Sequence, residues 1–121
     1  MNIKELIITT LNNAFNNYPV FQLGTIEESE ELPENYFTFR IDSSESRSFD
    51  NDDALTAWDI NINFFTNDPN KTMTVPNEMR QALKEAGFIP QGRGYDLISD
   101  NSDYSGWYSD YYYLERNKKE V

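Results

Sequence analysis

The sequence predicts an α+β fold: a mostly antiparallel sheet of about five strands with two helices on one face, in the order αβββαββ. Three observations predict it. Over residues 57–66, Trp58, Ile60, Ile62 and Phe64 share one parity while Asp59, Asn61 and Asn63 take the other. This is the period of two of a strand with one dry face and one wet face. Ile3, Leu6, Ile7, Leu11, Ala14 and Phe15 recur at spacings of three and four, as do Val75, Met79, Ala82, Leu83 and Ala86. Each set draws one apolar stripe along a helix. Aromatic and β-branched runs bounded by turn formers supply the remaining strands.

The first helix has a capping residue in Asn2, with Glu5 three positions on in the capping-box place. Asn16-Asn17-Tyr18-Pro19 ends it, because a residue before proline is pushed out of the helical region. A short strand over 20–25 follows. Glu27, Glu28, Glu30, Glu31 and Glu34 then crowd an acidic loop around Pro33. The second strand spans 36–41, with Phe37, Phe39 and Ile41 on one side.

From Asp42 to Asp53 the chain is rich in Ser and Asp, and it reads as a long polar hairpin loop before the third strand. Asn67-Asp68-Pro69-Asn70 is a turn signal. Thr74 is placed to cap the second helix, Pro76 sits in its first turn where a missing N–H costs nothing, and Gly87 stops it in the left-handed position. Pro90, Gly92 and Gly94 mark a loop, and residues 95–99 the fourth strand.

The last strand spans 107–116. Trp107, Tyr111 and Tyr113 take one face, and Tyr108, Tyr112 and Leu114 the other. Aromatics on both faces mean that one packs into the core while the other meets a partner or another element. Residues 1–116 make one α+β domain, and 117–121 a frayed tail.

Composition narrows the function. Ten Lys and Arg against 21 Asp and Glu give a formal net charge of −11, which repels phosphate backbones and anionic lipid. No specific nucleic-acid binding and no membrane association are expected. No stretch approaches the roughly 20 apolar residues of a membrane span, and the N-terminus lacks a basic region followed by an apolar run. A soluble chain is the default reading.

With no Cys and no His, thiol catalysis, disulfides, zinc-thiolate sites and the most versatile catalytic base are all missing. The chain is read as a non-enzyme with no cofactor. Asp50, Asp52 and Asp53 loosely echo a calcium loop but lack its glycine and distal bidentate Glu; Asp100 and Asp103 are similar, and solvated loops are the simpler reading of both. Gly92-Arg93-Gly94 lacks the rest of a phosphate-binding loop. Tyr108, Tyr111, Tyr112 and Tyr113 have Asp103 and Asp110 beside them where a base-stacking platform would carry Lys and Arg. Sheet packing or a protein interface therefore accounts for them.

The element order and several phrases resemble the tail terminator (tail completion, head-tail joining) proteins of long-tailed bacteriophages. The phrases are Tyr18-Pro19-Val20-Phe21 after the first helix, and Tyr36-Phe37-Thr38-Phe39 before a polar stretch. Others are the run from Trp58 to Phe65, a short helix closing in Gly87-Phe88, and a final Tyr111-Tyr112-Tyr113-Leu114-Glu115. The resemblance implies a virion structural protein, assembled in the host cytoplasm, that forms a homo-oligomeric ring, commonly a hexamer, at the head-proximal end of the tail. Such a ring stops tube polymerisation and contacts the tail tube protein and the head connector.

On that reading Glu27, Glu28, Glu30, Glu31, Asp50, Asp52 and Asp53 are candidates for the lumen or for docking, and Tyr108 and Tyr112 for an interface. Acidic lumen residues would keep passing DNA from sticking. The alternative is an acidic inhibitor, a DNA mimic or immunity-type protein that blocks a basic nuclease or toxin through charge complementarity. A calcium- or sugar-binding module is a third class, and it would show itself by calcium-dependent stabilisation.

Overall fold

The computed structural model describes residues 1–23, 32–49, 53–97 and 103–117. Helix α1 (Ile3–Ala14) is followed by strands β1 (Val20–Gln22), β2 (Asn35–Phe49) and β3 (Asp53–Thr66). A 3-10 turn (Pro69–Met73), helix α2 (Val75–Glu85) and strands β4 (Ile89–Leu97) and β5 (Ser105–Asn117) complete the chain. The sheet order is β1-β2-β3-β5-β4; β1 pairs parallel with β2, and every other pairing is antiparallel. The α+β architecture and element order follow the sequence pattern.

Both helices lie on one face. Ile3, Ile7 and Leu11 of α1 and Val75, Met79 and Leu83 of α2 join Phe37, Phe39, Ile60, Ile62, Phe64 and Tyr111 of the sheet in one buried cluster. The pairing explains the alignment, since Phe37 stands beside Phe64, Phe39 beside Ile62 and Ile41 beside Ile60, so one parity of each strand feeds the same core.

Local chemistry sets the helix ends. Asn2 Oδ1 accepts from the Glu5 amide at 2.8 Å, so the expected N-cap forms, but Glu5 Oε1 accepts from Asn2 Nδ2 at 3.1 Å, a side-chain pair in place of the backbone bond of a full capping box. Gly87 adopts φ 101°, and the Phe88 amide donates to the Leu83 carbonyl at 2.9 Å, which turns Phe88 into the core as α2 stops. Thr74 differs from expectation: its side chain makes no capping bond. Its backbone is already helical, with its amide bonded to Lys71 O, because the 3-10 turn runs straight into α2. An N-cap side chain works from an extended backbone, which Thr74 does not have.

Several strand boundaries also differ. The polar stretch 42–53, read as a loop, is mostly sheet: β2 continues to Phe49 and β3 starts at Asp53, with Glu45 beside Ala57, Ser46 beside Thr56 and Arg47 beside Leu55. A register shift between Ile41 and Ser43 precedes this extension. β5 accompanies it, with Glu115 beside Thr56 and Asn117, the expected start of the tail, beside Ala54. The result is a three-stranded arm that continues past the core. At about 3.3 Å per residue, the seven residues Ser43 to Phe49 carry it roughly 20 Å.

β4 starts at Ile89 rather than Tyr95: Pro90 stands in register beside Tyr111, and Gly92 and Gly94 fall in a bulge between Gln91 and Tyr95. An edge strand tolerates these residues because one side of its backbone bonds to nothing in the sheet. β1 ends at Gln22, short of the expected Thr25, a residue outside those described.

Candidate interaction surface

The face of the sheet away from the helices carries the second parity of every strand. Its central row was expected to be wet, yet Asn61 is fully buried and Asn63 and Thr38 nearly so. The cause lies above them. Arg40 on β2 stands beside Asn61, and Tyr108 on β5 beside Asn63. The Arg40 guanidinium reaches across β3 to donate from Nη2 to the Tyr108 hydroxyl at 3.2 Å, roofing the asparagines.

Beneath that roof the amides are partnered. Asn63 Nδ2 donates to Asn61 Oδ1 at 2.7 Å, and Asn61 Nδ2 donates to Asn63 Oδ1 at 3.2 Å and to the Ser109 carbonyl at 3.0 Å. The buried polar row is thus satisfied from within, as burial demands.

Beyond the roof the face divides. Toward the start of β2, Phe21, Tyr36, Phe65 and Tyr104 form an aromatic cluster, with Tyr36 stacked on Phe65 at 5.2 Å and edge-on to Tyr104 at 5.9 Å. Tyr104 is held by its hydroxyl, 2.9 Å from the Pro33 carbonyl. Toward the arm lies a depression of about 230 Å³, lined by Asp42, Ser43, Asp59, Gln91, Tyr108 and Asp110 among others.

Each carboxylate of that depression is engaged. Asp42 pairs with Arg40 Nε, Asp59 accepts from Ser43 Oγ at 2.7 Å, and Asp110 accepts from Asn61 Nδ2 at 3.3 Å. The hydrogen bond to Asp42, first among several causes, holds the Arg40 proton more firmly than usual. Burial, with the Asp110 charge second, pushes the Tyr108 hydroxyl up. Among the described residues no cluster of three or more acidic groups is arranged to hold a metal ion.

Next to the depression, the open face becomes apolar and exposed. Ile89 (47% exposed), Tyr112 (42%) and Leu114 (54%) stand together on β4 and β5, Ile89 directly beside Tyr112. Tyr95, also exposed, stacks on Tyr108 at 4.8 Å. A contiguous apolar row of this kind beside charged groups is the makings of a contact surface. The chemistry available is contact, hydrogen bonding and charge.

Of the residues singled out from sequence, Tyr108 and Tyr112 share this face, Tyr108 half-buried in the roof and Tyr112 in the exposed row. Asp53 opens β3, beside Phe49 at the far end of the arm. Glu27, Glu28, Glu30, Glu31, Asp50 and Asp52 lie outside the described residues. Arg40, Ile89, Tyr95 and Asp110 escaped sequence reasoning as parts of a surface. Only Asp110 carried a usable signal, through its shared parity with Tyr108 and Tyr112 on one strand.

No helix among the described residues is long and apolar enough to cross a membrane. A family model described as "Phage tail terminator protein" matches residues 2–105. No curated protein matches the chain.

Proposed function

The chain belongs to the phage tail terminator family, and from that premise we propose that it forms a homo-oligomeric ring at the head-proximal end of the tail. There the ring stops polymerisation of the tail tube and presents a surface to the head connector. The family is one of phage structural proteins, so the chain's work is assembly. The observation that supports contact through this face is the exposed row Ile89, Tyr112 and Leu114 next to the acidic depression.

Tyr112 sits inside that row as an interface residue, and Tyr108 supports it from the roof. Glu27, Glu28, Glu30, Glu31, Asp50, Asp52 and Asp53 serve the lumen or docking to the connector, where negative charge keeps passing DNA from adhering. Assembly takes place in the host cytoplasm. The acidic-inhibitor alternative draws on net charge alone, whereas the assembly reading draws on the family match as well.

Complementation of a phage lacking its terminator tests the proposal. Supplying this chain is expected to restore tails of uniform length joined to heads, seen by electron microscopy. Overlong tails that still carry no head despite abundant folded chain would refute it.

A further inference from the structure

The sheet has two kinds of edge. β1 is three residues long, and β4 carries Pro90 and a bulge through Gly92 and Gly94, both familiar ways of blunting an edge. Along the arm neither device appears among the described residues, and the edges carry only the charges of Glu45, Arg47, Glu115 and Arg116. Among the described residues no strand pairs with the outer side of β2 beyond Phe39, because β1 reaches only that far. None pairs with the outer side of β5 beyond Tyr112, because β4 begins at its level. The two bare stretches, Ser43 to Phe49 and Tyr113 to Asn117, contain no proline, lysine or glycine.

These edges are related. Each borders β3 antiparallel, so β2 and β5 run in the same direction. Ser46 and Glu115 both stand beside Thr56, so the bare stretches occupy one level on opposite sides of the arm.

We propose that the arm is the subunit joint: the outer edge of β2 in one copy adds to the outer edge of β5 in the next as a parallel strand pair. This deepens the ring reading above and rests on it. A two-fold contact of β2 with β2 would leave both β5 edges bare. A closed head-to-tail cycle covers every bare arm edge with a single kind of contact. Leu114, exposed on β5 within the bare stretch, gains a cross-strand neighbour in the same step.

Cysteine pairing tests the proposal cleanly, because the chain has no thiol of its own. Ser46→Cys is combined in turn with Leu114→Cys, Glu115→Cys or Arg116→Cys, so that a one-residue slip does not hide the contact. Within one subunit β2 and β5 are two strand spacings apart, about 10 Å, too far for a disulfide; between paired copies one spacing of about 4.8 Å permits it.

In assembled tails, oxidation is expected to give a ladder of disulfide-linked multimers for at least one pair, and none for any single variant. Dimers from Ser46→Cys alone would overturn the head-to-tail joint in favour of a two-fold one. Several copies of the chain in each tail, with no ladder from any pair, would overturn the edge joint and leave the ring standing. Tails from which the chain is missing altogether would overturn both.

Discussion

Arg40 and Tyr108 belong to strands that never touch, yet the guanidinium of one donates to the hydroxyl of the other at 3.2 Å over the top of β3. This crossing turns a nominally wet row into a second buried layer. Tyr108→Phe keeps the ring and deletes one hydrogen bond, so a loss of about 0.5–1.5 kcal/mol is expected. Arg40 is itself part-exposed, so its own pairing adds little. Arg40→Ala nevertheless opens Asn61 and Asn63 to water, and faster amide hydrogen exchange along β3 in that variant is the measurement that checks the roof.

On the helix side, Ile62 is fully buried and Trp58 only partly so. Ile62→Ala is expected to cost about 2–5 kcal/mol in urea unfolding, the usual price of a core cavity. Trp58 behaves differently, because its buried indole nitrogen has no hydrogen-bond partner among the described residues. Trp58→Phe sheds that unsatisfied donor while keeping an aromatic ring, so its loss should fall well below that of Ile62→Ala. An equal loss would contradict the burial seen here.

Gly94 and Gly92 form a matched pair. Both have positive φ, 89° and 75°, but a Cβ at Gly94 would sit 2.4 Å from the Tyr108 carbonyl and 2.5 Å from Trp107 Nε1, whereas at Gly92 it meets open space. Gly92→Ala should cost about 1 kcal/mol from backbone conformation alone. Gly94→Ala adds a clash with the neighbouring strand and should lower the melting temperature distinctly further.

Burial raises the pKa of the Tyr111 hydroxyl above its ordinary value, and burial followed by Tyr104 does the same for Tyr36. A folded-state pKa above the unfolded one stabilises the fold in full below the unfolded value, about 10, and the gain is lost as pH rises through the folded value. Alkaline unfolding should therefore coincide with late tyrosinate absorbance. Tyr111→Phe is expected to move the alkaline midpoint upward; an unchanged midpoint would show that Tyr111 ionises freely in the fold.

Leu114→Asp combined with Tyr112→Ser alters only exposed positions of the contact row. Stability should stay within about 0.5 kcal/mol of the parent. Restoration of head-joined tails should fall steeply in complementation, and full restoration would remove the row from the interface.

Legibility in the sequence followed how local each cause was. The alternation of Trp58, Ile60, Ile62 and Phe64, the Asn2–Glu5 cap and the Gly87 stop are decided within a few residues, and each appears where its pattern lies. The arm was hidden because Ser- and Asp-rich segments make poor strands alone. Here β3 and β5 supply the pairing that composition does not suggest. Pro90 and two glycines signal a turn where β4 begins, a signal that an edge position overrides.

The buried asparagine row was the least visible, since its roof joins residues 68 positions apart. For the contact face, Tyr108, Tyr112 and Leu114 were readable from their parity. Ile89 and Tyr95 join them only through the pairing of β4 with β5.

β2, β3 and β5 pass from the helix-backed portion into the arm as continuous backbone. An extended strand already sits near the maximum length of its chain, about 3.3 Å per residue. It has almost no slack to give under tension. Tension applied at the Phe49–Asp53 end is therefore delivered, nearly undiminished, to the level of Ile41, Ile60 and Tyr111, where the core begins. The arm is in that sense an inextensible tether, passing a pull at its far end to the body of the protein.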